Sequence, residues 1–132
     1  MDKQSLCESA IKATDNSYSP YSDFCVGAAL LCKDGSIYCG CNIENSSFTP
    51  TVCAERVAFF KAISDGKHGF VSIAVAGGKK GSVGVAETIP CGVCLQVMSE
   101  FCDPDFKVLL VKEGGYTEYE LKDLLPKSFK LE

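Results

Sequence analysis

Two short segments of this 132-residue chain combine reactive residue types at spacings that chemistry can use: Thr51-Val52-Cys53-Ala54-Glu55-Arg56 and Pro90-Cys91-Gly92-Val93-Cys94. A C-x-x-C pair alone serves equally as a redox dithiol, as half of a structural metal knuckle or as two buried thiols. Here a third cysteine, Cys53, and a carboxylate, Glu55, accompany it. Three thiolates fill three corners of a zinc tetrahedron and leave the fourth to water, and that open corner separates a catalytic site from a closed structural one. Each segment stands at the expected start of a helix, where unpaired N–H groups and partial positive charge favour thiolate over thiol.

The rest of the reactive inventory narrows the choice. The chain has one histidine, His68, in the glycine-bounded stretch 66–69, which reads as a solvated loop. Nucleophile schemes that need a positioned imidazole are thereby set aside, and any transition metal must be held mainly by sulfur. Nine cysteines is an odd number, so a complete intramolecular disulfide framework cannot use them all. In a reducing compartment they are thiols or metal ligands. Cys7, Cys25, Cys32, Cys39, Cys41 and Cys102 read as small buried apolar residues. On the residues alone two alternatives stay open: a non-enzymatic zinc module closed by Cys102 or Cys25, and a dithiol redox protein built on Cys91 and Cys94.

The elements that must position these groups follow from periodicity. Leu6, Ala10 and Ala13 recur at helical spacing over residues 3–15. The apolar run 24–32 and the segment 37–43 flank Asp34-Gly35 and read as two strands joined by a turn. Residues 51–64 form a helix beginning close to Cys53, and 70–76 a buried strand. The glycine-rich segment 77–90 does not satisfy the phosphate-loop pattern and reads as a plain mobile loop. A helix over 91–102 follows Pro90, a common residue at helix starts. Strands at 106–111 and 116–119 and a last helical turn at 121–125 complete the order. This succession predicts an α/β fold, a three-layer α-β-α sandwich around a mixed five-stranded sheet. With no repeat and no linker, residues 1–132 read as a single domain.

Composition excludes several classes. The net charge is −4 and no basic run is longer than Lys79-Lys80, so the footprint of a nucleic-acid binder is missing. No stretch has the roughly 18 apolar residues of a membrane helix, and the amino end shows no apolar signal core, so a cytoplasmic location is expected. The expected partner is a small molecule.

The C-x-E and P-C-x-x-C segments together resemble the zinc deaminases of the cytidine deaminase superfamily. The resemblance runs through nearly the whole chain. Phe24-Cys25-Val26-Gly27-Ala28-Ala29 is similar to the family's F-x-V-G-A-A strand, Gly40-Cys41-Asn42-Ile43-Glu44-Asn45 to its G-x-N-x-E-N segment, and Glu120-Leu121 through Leu124-Leu125-Pro126 to Phe129 to its closing stretch. These point to the small free-nucleoside branch, in which cysteine replaces the histidine ligand. The resemblance implies one Zn²⁺ per chain on Cys53, Cys91 and Cys94, with Glu55 shuttling protons and Arg56 dispersing the negative charge of the thiolates. It implies a substrate site of Phe24 against the pyrimidine, Asn42 and Glu44 on the sugar 3′-hydroxyl, Ala54, and Phe129 reaching a neighbouring subunit. The implied reaction is hydrolytic deamination of cytidine or 2′-deoxycytidine in pyrimidine salvage, by a homotetramer with sites at subunit boundaries. Deamination of another cytosine nucleoside is the alternative within the fold, disfavoured because Asn42 and Glu44 suit a plain ribose. Two positions depart from the family pattern: Leu95 stands where an arginine often follows C-x-x-C, and Phe48 stands where many relatives have tyrosine.

Overall fold

A computed structural model describes residues 1–131. Its elements are α1 (Lys3–Ala13), β1 (Phe24–Cys32), β2 (Ile37–Cys41), α2 (Ala54–Ser64), β3 (Phe70–Lys79), α3 (Gly92–Phe101), β4 (Lys107–Lys112), β5 (Gly115–Glu120) and α4 (Leu121–Leu124). The five strands form one mixed sheet in the order β2-β1-β3-β4-β5. Only β3 and β4 run parallel, joined through α3, while the other neighbours are antiparallel. A parallel pair needs such a crossover, the antiparallel pairs β1-β2 and β4-β5 close by short turns, and β1 meets β3 only after the chain has passed through β2 and α2.

Alternation along the strands divides the core into two layers. Ala28, Leu30 and Cys32 on β1, Ile73 and Val75 on β3, and Val108 and Leu110 on β4 face α2 and α3. Phe59 of α2 anchors that side, its ring 5.2 Å from Phe70 and 6.1 Å from Phe106. Ala29, Ala74, Ala76, Leu109 and Val111 face the opposite way and receive Leu6, Cys7 and Ala10 of α1. The predicted three-layer sandwich is the observed architecture.

Several boundaries differ from the sequence reading for identifiable reasons. The helix expected from residue 51 starts at Ala54, because Val52 is held by a backbone bridge to Ile43 and Cys53 becomes the residue capping the helix. The second strand ends at Cys41 rather than at residue 43, since Ile43 pairs with Val52 and Tyr18 instead of with β1. Strand β3 continues past Ala76 into the segment read as loop: Gly77, Gly78 and Lys79 stand opposite Val26, Cys25 and Phe24. That pairing uses backbone groups and gains nothing from apolar side chains, so composition does not reveal it. Of the six cysteines expected to be buried, Cys7 and Cys32 are buried, whereas Cys25, Cys39, Cys41 and Cys102 are partly exposed.

Two glycines let elements approach closely enough to build the site. A Cβ at Gly40 would lie 2.5 Å from the Ala54 carbonyl and 2.7 Å from the Ala58 nitrogen, so α2 can rest on β2 only over a bare backbone. At Gly77 a Cβ would lie 2.3 Å from Thr88 Oγ1, so this glycine admits the segment that leads into α3.

Candidate active site

The starts of α2 and α3 meet, and each is capped by a cysteine. Cys53 and Cys91 have extended backbones (φ −79°, ψ 153° and φ −70°, ψ 166°), and neither side chain bonds to its helix's first N–H groups. Their sulfurs are therefore free to converge with that of Cys94, one turn into α3. Cys53 Sγ lies 3.8 Å from Cys91 Sγ, and Cys91 Sγ lies 3.6 Å from Cys94 Sγ. All three sulfurs are within 4.8 Å of one another. Sulfurs about 2.3 Å from a shared tetrahedral centre are about 3.8 Å apart, so the trio has the dimensions of a zinc–thiolate site. Among the described residues no fourth histidine, cysteine or carboxylate joins it. Cys102 sits at the end of α3, its thiol pushed up to about 12 chiefly by burial, and Cys25 touches Ser19 at 3.5 Å. The closed four-sulfur alternative is thus not the arrangement present.

Electrostatics reinforce the metal-ligand reading. The Cys53 thiol is held below its ordinary value, first by a hydrogen bond shared with Cys94 and then, against the cost of burial, by the Arg56 guanidinium. Arg56 Nη2 donates to Cys53 Sγ at 3.5 Å. Cys94 is driven in the opposite direction by the same bond to Cys53 and by its burial. Leu95, where an arginine often stands, is packed into the core on the α2 side of the sheet, which leaves Arg56 in contact with the sulfurs as the compensating cation.

Glu55 follows Cys53 by two residues and is 3% exposed. Burial raises its carboxyl to about 7, and its Oε1 has no hydrogen-bond partner. An unpartnered buried carboxylate oxygen costs free energy unless something at the site uses it. Glu55 lines a cleft of about 350 Å³ together with Phe24, Asn42, Glu44, Cys53, Cys91, Thr88 and Ile89.

The expected substrate residues are distributed unequally. Phe24, 38% exposed, lines the cleft from the first position of β1. Asn42 is nearly buried: its Oδ1 accepts from Val26 N at 2.9 Å and from Ser17 Oγ, and its Nδ2 donates to Phe24 O at 2.8 Å, leaving one N–H free. Glu44 accepts from Tyr21 N at 2.9 Å, from Ser22 N at 3.2 Å and from the Ser22 hydroxyl, which holds its carboxyl below the usual range. The Ala54 side chain is buried in the core, so only its backbone can serve the site. Phe129 lies elsewhere, 67% exposed, its carbonyl accepting from Gln96 Nε2 at 3.2 Å. Phe48, 85% exposed, lines an adjoining hollow that shares Ser22, Glu44 and Thr51 with the cleft. Sequence reasoning missed Ser22, Thr88 and Ile89, because their places depend on how two loops fold back and not on any local pattern.

A redox dithiol gives no reason for a third sulfur or for an unpaired carboxylate beside it. Together they place the chain among metal-dependent hydrolytic enzymes. The family model for the cytidine and deoxycytidylate deaminase zinc-binding region matches residues 1–110. Over 133 aligned residues the chain is 47% identical to a cytidine deaminase of Sporosarcina psychrophila, covering all of this chain and 94% of that one. It is 49% identical to a cytidine deaminase of Halalkalibacterium halodurans, with 100% and 97% of the two chains covered. The crystal structure of cytidine deaminase from Burkholderia pseudomallei superposes with a TM-score of 0.88 at 40% identity, over 98% of this chain and 100% of that one. The chain belongs to the cytidine and deoxycytidylate deaminase family.

Proposed function

We propose that this chain, as a single domain over residues 1–132, catalyses the zinc-dependent hydrolytic deamination of cytidine and 2′-deoxycytidine to the uridine nucleosides, with release of ammonia, in pyrimidine salvage. The observation that carries this reading is the buried, unpartnered Glu55 Oε1 beside the three-sulfur cluster.

Cys53, Cys91 and Cys94 would hold one zinc ion. When bound, that ion supplies an acidified water at neutral pH. The protein's own groups do the rest. Replacing the exocyclic amine at C4 by oxygen requires a proton at N3 during attack and another on the departing amine, and Glu55 Oε1 carries both. A buried carboxyl, raised above the usual carboxylate range by its desolvation, is suited both to take and to give a proton. Arg56 shares charge with the thiolates and so limits the cost of keeping them in a closed site. Phe24 offers its ring face to the pyrimidine. The free N–H of Asn42 and the remaining acceptor position of Glu44 suit the sugar 3′-hydroxyl, and Ala54 contributes a backbone N–H from the first turn of α2, where such groups lack intrahelical partners.

This arrangement sets the substrate class. The ionised Glu44 repels a 3′-phosphate directly, and the net charge of −4 disfavours a polyanion. Cytidine and 2′-deoxycytidine are therefore expected to release ammonia, while cytidine 3′-phosphate and single-stranded DNA remain unchanged in the same assay. Efficient conversion of a cytosine-containing oligonucleotide would assign the chain to polynucleotide editing instead.

The active form in this reading is a homotetramer with its sites at subunit boundaries. Support comes from Phe129, which is exposed and absent from the cleft of its own chain. Light scattering should give about four times the 14.1 kDa chain mass. Phe129→Ala should raise KM while the metal content stays constant, and a fully active monomer at assay concentration would defeat the assembly. A cytoplasmic location is supported by the all-sulfur site and the free thiols, which persist in a reducing compartment. Among the described residues no helix is long and apolar enough to cross a membrane.

A further inference from the structure

The carboxylate of Glu44 is more completely held than its partly exposed position requires. Three donors converge on it, and two belong to one residue: Ser22 gives its amide to Oε1 at 3.2 Å and its hydroxyl to Oε2, while the Tyr21 amide reaches Oε1 at 2.9 Å. A carboxylate offers about four acceptor positions in all, two on each oxygen. Both positions on Oε1 are taken, which leaves one, on Oε2. The same Ser22 hydroxyl accepts from Phe24 N at 3.1 Å. It therefore ties the residue at the pyrimidine end of the cleft to the residue at its sugar end. The chain makes this contact by turning at Asp23, whose φ of 58° lies in the left-handed region that non-glycine residues seldom adopt. The turn is closed by Asp23 N on Ser19 O at 3.0 Å, and Ser22 itself lines the cleft.

We infer that Ser22 is the positioning residue for sugar recognition: by fixing the rotamer of Glu44 it leaves a single acceptor for one substrate hydroxyl. This rests on the reading that Glu44 binds the sugar. The hydroxyl is a charge-assisted donor, stronger than a neutral hydrogen bond, and without it Oε2 gains a free lone pair and the carboxylate a degree of freedom. The loss is then felt by a nucleoside that presents a 3′-hydroxyl and not by one that lacks it.

The experiment compares 2′-deoxycytidine with 2′,3′-dideoxycytidine on the zinc-loaded enzyme and its Ser22→Ala, Ser22→Thr and Glu44→Gln variants. Ser22→Ala is expected to raise KM for 2′-deoxycytidine by about tenfold more than for the dideoxynucleoside, with a much smaller change in kcat, any loss of the Phe24 contact being common to both. Ser22→Thr, which keeps the hydroxyl, should restore most of the loss. Equal losses on both nucleosides would mean that Ser22 merely supports the loop and would overturn the inference. So would a Ser22→Ala enzyme that behaves as the parent does while Glu44→Gln loses its preference for the 3′-hydroxyl, an outcome that leaves the sugar reading standing. If Glu44→Gln treats the two nucleosides as the parent does, the sugar reading itself fails and the inference with it.

Discussion

Glu55→Gln is expected to keep its metal and lose nearly all turnover. Glutamine has the shape of glutamate and can still hydrogen-bond, but it cannot accept and return a proton. A single general acid–base group contributes about 10²- to 10⁴-fold, and in the proposed mechanism Glu55 serves both the attack and the departure of the amine, so a loss of about 10⁴-fold or more in kcat is expected. The side chain is buried at the first turn of α2 without a partner for Oε1. The substitution keeps the size of the side chain and breaks no hydrogen bond to Oε1, so the fold should survive it. Stopped assays with metal analysis of the same sample test both halves. Turnover within about tenfold of the parent enzyme would remove Glu55 from the proton path.

The second large effect is on metal retention. Serine at Cys53, Cys91 or Cys94 should each abolish bound zinc, because a neutral hydroxyl is a poor replacement for a thiolate, and two sulfurs without histidine or carboxylate support do not make a closed donor set. Arg56 would then face a depleted cluster, since its Nη2 donates to Cys53 Sγ. Activity should disappear together with the metal, and added zinc should not restore it. Cys7→Ser and Cys102→Ser provide the contrast: Cys7 belongs to α1 and is buried against the opposite face of the sheet, and Cys102 lies beyond the end of α3. Loss of zinc from either of these would show that the ligand assignment is wrong.

The parts of this account that could be read from sequence are those written in residue type and short spacing. Cys53, Glu55, Cys91 and Cys94 announce themselves because a thiolate site needs particular atoms at particular helix starts, and both helices are set off by recognisable neighbours such as Pro90. The sheet was legible because apolar residues face both layers: Ala28, Leu30 and Cys32 alternate with Ala29, and Ile73 and Val75 with Ala74 and Ala76. What escaped was decided by backbone pairing and by turns. The extension of β3 through Gly77, Gly78 and Lys79 satisfies N–H and C=O groups of β1 without burying a side-chain stripe. Thr88 and Ile89 reach the cleft because Gly77 leaves room for Thr88, a relation between residues far apart in sequence. Ser22 meets Glu44 only because the chain turns left-handed at Asp23, and aspartate does not advertise that conformation as glycine would. Asn42 and Glu44 were visible as a pair, but not that Asn42 spends most of its amide bracing β1.

The central claim is that three cysteine sulfurs hold a zinc ion while leaving one position open for the chemistry, and zinc-edge X-ray absorption on the purified protein addresses it most directly. The account predicts a first shell of three sulfurs at about 2.3 Å and one lighter oxygen scatterer at about 2.0 Å, with the oxygen replaced or shifted when a nucleoside inhibitor is added. A shell of four sulfurs, unchanged by inhibitor, would identify a closed structural site and contradict the account.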